Sequence, residues 1–363
     1  MINLVNVLYQ QQESWNTQYV RYSGILIGYV GNSQTSFKTI CFTDIFRASE
    51  NIDVLGIVGF SNGQLVLINI CAQLSVIYGV IPTVALIGWV NGLNSNYTNI
   101  IIQLQVGNST VECGSALVSV LQTTTYYISN ISIYNSSVQA NRLVGLLIGS
   151  TTTKNGTIQQ ININESSINQ NLNDTNIFQN LFGGGILGES WGQVYISKCV
   201  INNIQVFSYA TNKWSISGGI IGDSHDHPAS IIQSLVQNSS LSASGNVISC
   251  VCSGGIIGYQ YNSNVSISDV KVTNTNISVS SSAQTYSAGL ISYYGNQTIM
   301  VENSSVYNIQ ITTSSRQNAG ILICVNLGAV QAINVYSEGV NTINGKIINN
   351  CLNYSVISSQ SGC

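Results

Sequence analysis

Short apolar runs closed by glycine return along the chain at nearly even intervals, with polar, alternating stretches between them. The clearest run is Gly254-Gly255-Ile256-Ile257-Gly258-Tyr259. Related runs begin at Gly24, Gly56, Ala85, Ala116, Gly145, Gly185, Gly219, Gly289 and Gly320. With Gly255 these make ten anchors, spaced by about 33 residues. A second landmark follows each of several anchors by about 22 residues: Ser136-Ser137-Val138, Ser166-Ser167-Ile168, Ser239-Ser240-Leu241 and Thr275-Asn276-Ile277. Two landmarks at a fixed offset define a structural unit and not a composition bias.

The unit at 255–285 predicts three strands. Gly255 to Gly258 is an unbroken apolar run, as expected of a strand enclosed on both sides. Residues 265–272 alternate, which predicts a strand with one wet face. Ile277 to Ser280 is the third strand, and Asn262-Ser-Asn264 and Asn274-Thr-Asn276 are the turns. No helical stripe is sustained anywhere, and β-branched residues with Asn dominate. Three short strands per repeat predict a coil that buries its apolar face only by stacking on its neighbours. The expected fold is therefore all-β: a right-handed parallel β-solenoid of about ten coils. Residues 24–340 are its repeat domain. Residues 1–23 read as a partial N-terminal coil, and 341–363 as a tail or last partial coil; neither reads as a cap, so missing flanks or end-to-end self-association are expected. Corner glycines are explained by positive φ or by close backbone approach, and corner asparagines by their tolerance of the left-handed region.

Composition narrows the function. Hydrophobic residues are 44% and charged residues 6% of the chain, so Asn, Ser, Thr and Gln must keep the surface wet. Ten scattered Lys and Arg with a net charge of −3 supply no basic footprint, which excludes a nucleic-acid partner. The longest apolar run, 76–90, has 15 residues. A spanning helix needs about 20, so no transmembrane segment is expected. No signal peptide opens the chain, and residues 1–23 look like the end of a unit that began upstream, where a signal could have been lost. Thirteen Asn-x-Ser/Thr sequons fit a secreted, glycosylated surface. Of nine cysteines, Cys41, Cys71 and Cys199 fall near one column of the repeat and read as core filling. A disulfide among Cys250, Cys252, Cys351 and Cys363 is open, with its pairing unreadable.

The core Gly-Gly-Ile-Ile-Gly, followed by a polar gap and Val265-Ser-Ile-Ser-Asp-Val-Lys-Val272, resembles the GLUG-type repeat of large bacterial and protist surface proteins. The resemblance spans roughly residues 24–340. Ala85, Ala116, Ser119 and Ser292 depart from its glycines. It implies an extracellular, adhesin-like or stalk-like protein and no reaction. Carbohydrate or other surface proteins are the expected partners, with no cofactor.

Three constellations carry candidate chemistry. Tyr29, Phe60, Trp89, Tyr259 and Tyr293 each directly follow a closing anchor position. They form either an aromatic ladder for sugar rings or corner packing. Asp223, His225, Asp226 and His227 offer two carboxylates and two imidazoles to a divalent metal. They sit in an expected exposed turn, where ligand geometry is rarely fixed, so no metal site is assigned. Glu189 and Asp223 each follow a closing glycine, so they are expected to stack on neighbouring coils, with Asp226 joining them. That trio is the best set for a polysaccharide lyase or glycoside hydrolase, the rival reading.

Overall fold

The structure, a computed structural model, describes residues 2–5, 8–11, 22–31, 34–43, 46–49, 54–79, 83–107, 113–172, 180–211, 213–245, 250–282, 284–295, 297–314, 319–326 and 329–348. Strands and turns account for them, and none is helical. One turn runs through the strands Leu181–Gly184, Leu187–Ser190, Gln193–Ser197, Val200–Asn202 and Gln205–Ala210. The next runs through Ser215–Gly218, Ile221–His225, Ala229–Ile232, Leu235–Gln237 and Ser240–Gly245. Each strand pairs in parallel with its counterpart one turn on. The chain is thus a parallel β-solenoid of about eight turns. That is slightly fewer than the ten coils expected from the anchors.

The core is made of stacked apolar columns. Ile128, Ile158, Ile196, Ile231, Ile267 and Val301 lie directly over one another, all buried. No single turn encloses such a residue; the turns above and below do.

The corners are built from left-handed residues and hydroxyls. Asn69, Asn99 and Asn130 have φ near +55° (56°, 54° and 53°). Their amides chain along the stack, Asn99 Nδ2 donating to Asn69 Oδ1 at 2.9 Å and Asn130 Nδ2 to Asn99 Oδ1 at 2.7 Å. Asn238, Asn274 and Asn308 repeat the device at another corner, at 3.2 Å per link. The second landmark is explained here too. Ser136 is buried, donates to the Tyr134 carbonyl at 3.0 Å and accepts the Leu104 amide of the preceding turn at 3.0 Å. Ser166 repeats the role for the Ser136 amide at 3.2 Å.

Several expectations need correction. The stretch 265–272 is not one strand but two, Val265–Ser268 and Lys271–Thr273, broken at Asp269, whose φ is +55°. The anchor run is also two strands, Cys250–Gly254 and Ile257–Tyr261, meeting at a kink. In register, Gly145 stacks on Gly184, Gly218, Gly254, Ala288 and Gly320, so four of the later anchors were set one residue late. None of these glycines has a positive φ. Close backbone approach is the operative reason: a Cβ on Gly184 would run into the Leu187 carbonyl oxygen. Cys41 and Cys71 are register partners on the half-buried side. Cys199 is displaced by one position and points into the core in place of an isoleucine of the Ile131–Ile161 column. Cys250 and Cys252 are disulfide-bonded within one strand; Cys351 and Cys363 lie outside the described residues. At the far end, Asn341–Ile343 turns back on Lys346–Ile348, the one antiparallel pairing among the described residues.

Candidate functional site

The position after the closing glycine forms a single column along the solenoid. Its members, in register, are Tyr29, Phe60, Trp89, Val120, Ser150, Glu189, Asp223, Tyr259, Tyr293 and Val325. The five aromatic residues singled out from sequence therefore share one column, and two acids interrupt it. Adjacent parallel strands lie about 4.8 Å apart, so Glu189 and Asp223 are forced together by the stacking itself.

This column does not face open solvent along its length. Tyr29 is 55% exposed, but Tyr259 is only 4% exposed. The kink folds the two strands of the anchor toward each other, and a second apolar cluster fills the angle: Leu143, Phe182, Ile216, Cys252 and Tyr286 from one side, Tyr259 from the other. Rings of the column stack mostly on one another. Tyr29 and Phe60 are 5.4 Å apart at 9°, and Tyr259 and Tyr293 are 4.7 Å apart at 7°. Trp214 closes over Tyr259 at 4.8 Å. Of the two expectations from sequence, ladder or corner packing, the burial of Phe60 and Tyr259 fits corner packing.

The acids sit at the centre of this arrangement. Asp223 is 0% exposed and Glu189 is buried. Ser150, one turn earlier, donates to Glu189 Oε2 at 3.1 Å and fixes its carboxylate. His225 Nε2 lies 2.5 Å from Asp223 Oδ2. Beyond that contact neither Asp223 oxygen completes a hydrogen bond, although the Ser224 amide lies nearby. One ligand atom from each of Glu189, Asp223 and His225 falls within 4.8 Å of the other two. His225 is the last residue of the strand Ile221–His225 and is half-buried, not on a free loop. Asp226 and His227 turn away and are exposed; Asp226, at φ +54°, accepts an amide hydrogen from Asn262 at 3.0 Å. Of the residues proposed for metal or acid chemistry, the fold unites Glu189, Asp223 and His225 and excludes Asp226 and His227.

A rim of rings surrounds the trio. Trp191 stacks on the His225 imidazole at 4.4 Å and 16°, and Tyr261 meets it edge-on at 5.9 Å. Trp191 is 41% and Tyr261 46% exposed. Sequence reasoning missed both. Trp191, His225 and Tyr261 each lie two residues beyond a column member, and residues i and i+2 of a strand share a face, so the offset was a usable signal.

Burial pushes the Asp223 carboxyl up to about 6, with Glu189 adding to the shift and His225 opposing it. Burial alone would lower His225. The hydrogen bond and charge of Asp223, with Glu189 and Asp226, outweigh it and raise the imidazole above its ordinary value. Both groups hold a proton more firmly folded than unfolded. The stability each contributes is present at low pH and is lost as pH rises, for Asp223 from about 4 to 6 and for His225 through its raised folded value. With a chelator present, the thermal midpoint is expected to be higher at pH 4.5 than at pH 8. Asp223→Asn should flatten that slope. A midpoint that instead rises with pH would show that the buried pair does not govern it.

No family model, curated protein or solved structure matches the chain. Among the described residues, no helix is long and apolar enough to cross a membrane.

Proposed function

We propose that the protein is a structural, adhesive repeat element of an extracellular or cell surface, of GLUG type, with a right-handed coil. Its solenoid displays a binding surface and performs no catalysis. The observation that carries this reading is the pair Trp191 and Tyr261, exposed rings held on a rigid stack on either side of His225. Exposed aromatic faces on a preformed surface suit the apolar faces of sugar rings, so carbohydrate is the favoured partner. Rigid presentation matters because no loop has to be ordered when the ligand arrives.

Affinity electrophoresis through gels containing soluble polysaccharides tests it. At least one polysaccharide is expected to retard the chain. Trp191→Ala and Tyr261→Ala, both on the surface, should each weaken the retardation at least fivefold without changing the fold. Equal mobility of wild type and both variants in every gel would sink the reading.

The rival, a carbohydrate-active enzyme, draws on the same site. Glu189 and Asp223 are near the separation used by retaining glycosidases, about 5–5.5 Å. Against it stands the complete burial of Asp223, since a nucleophile or acid must reach the sugar. Release of reducing ends or unsaturated products from a retarding polysaccharide, abolished by Glu189→Gln, would favour the enzyme.

A further inference from the structure

We propose that Glu189, Asp223 and His225 form a binding site for a divalent transition-metal ion of the zinc class. The donors come from two neighbouring turns, Glu189 from one and Asp223 with His225 from the next, so the stack itself sets their spacing. One carboxylate oxygen from each acid and one imidazole nitrogen lie within 4.8 Å of each other. A tetrahedral ion with bonds of about 2.0–2.2 Å holds its ligand atoms about 3.4 Å apart, so a contraction of up to about 1.4 Å closes the three around it.

The second observation is the state of Asp223. It is wholly buried, and beyond His225 and the nearby Ser224 amide its oxygens complete no hydrogen bond. A buried carboxylate left this way is costly. Elsewhere the same column carries Tyr, Phe, Trp, Val and Ser150, none of them an acid, apart from Glu189 itself. An ion supplies what the protein does not. The site also has the supports that orient metal ligands. Ser150 donates to Glu189, and Trp191 stacked on His225 fixes the plane of the imidazole.

The donor set selects the class of ion. Imidazole and only two carboxylates suit zinc and its neighbours better than calcium, which takes six to eight oxygens, or magnesium, which keeps several waters. Three protein ligands leave a further position on the ion, beside the rim of Trp191 and Tyr261. His225 Nε2 and Asp223 Oδ2, at 2.5 Å, are closer than two ligands of one ion. Binding must therefore move the imidazole outward and remove the shared proton.

The test uses the full chain, stripped with chelator and titrated with zinc chloride by calorimetry, with metal content measured after dialysis. One ion per chain is expected, with a dissociation constant in the micromolar range or tighter. Asp223→Asn and His225→Gln should each weaken binding at least tenfold. Glu189→Gln, at the edge of the site, serves if either of these fails to fold. His227→Gln should bind as wild type does. Cobalt substitution separates the site from the free thiols of Cys41, Cys71, Cys199 and Cys324. A spectrum without a thiolate charge-transfer band is expected. Unchanged affinity in folded Asp223→Asn or Glu189→Gln, loss in His227→Gln, or a thiolate band would overturn the proposal.

Discussion

Gly254→Ala is expected to destabilise the solenoid by more than about 3 kcal/mol, and Gly295→Ala by less than about 0.5 kcal/mol. The two glycines differ in what a methyl group meets. At Gly254 it strikes the carbonyl oxygen of Ile257 across the kink, and the Leu290 carbonyl of the next turn stands 3.0 Å away. Both are backbone atoms in the ladder, so neither withdraws without breaking pairing. At Gly295 the nearest atoms are the Asn262 nitrogen at 3.4 Å and the Tyr261 ring at 3.5 Å, which is ordinary contact. Neither position needs a positive φ. The contrast therefore isolates steric room from conformational freedom. Chemical denaturation of the two variants measures it. Equal stability of both would mean that the kink relaxes and that the recurring glycine is not a steric requirement.

The repeat was legible because it rests on this requirement. A kink that leaves little room for a Cβ favours glycine in most turns, although Ala288 holds the same register position, and the Ile-Ile that follows is buried from both sides. The left-handed corners were legible for the same reason: Asn262 and Asn274 sit where the backbone demands them. The corner at Asp269 was not seen, because its neighbours Val265, Ile267, Val270 and Val272 were read as one alternating strand. The step from 267 to 270 is three, not two, and a strand that keeps its face cannot take it. The left-handed residue there restores the inward face after the bend.

The site was half legible for a different reason. Spacing placed Glu189 and Asp223 in one column, and it placed the aromatic residues at the same offset. What spacing could not supply is depth. A position facing away from the core of a straight strand is wet; beside the kink it faces a second apolar cluster and is dry. The same offset therefore gives an exposed Tyr29 and a buried Tyr259. The choice of His225 over Asp226 follows from local geometry. His225 continues the strand, whereas Asp226 enters the left-handed turn and swings out.

Ile131→Asp is expected to cost at least about 4 kcal/mol and to open the middle of the stack. Ile131 lies between Ile100 and Ile161 in a fully apolar column. A carboxylate there meets only methyl groups, so it must either take up a proton or draw the turn into water. Because each turn touches only its neighbours, the damage should be local. Hydrogen exchange should accelerate in the turns carrying residues 97–102 and 158–163 well before it does near residue 300. Uniform acceleration along the chain would instead show that the rod unfolds as one unit. Asp223 is the natural counterpart: an acid just as buried, in the column beside the kink, that the fold tolerates. The difference is His225 at 2.5 Å, two residues on along the same strand, which opposes the burial that Glu189 compounds. Burial of charge in this solenoid is thus decided by the partner placed beside it, and for Asp223 that partner stands two residues on along the same strand.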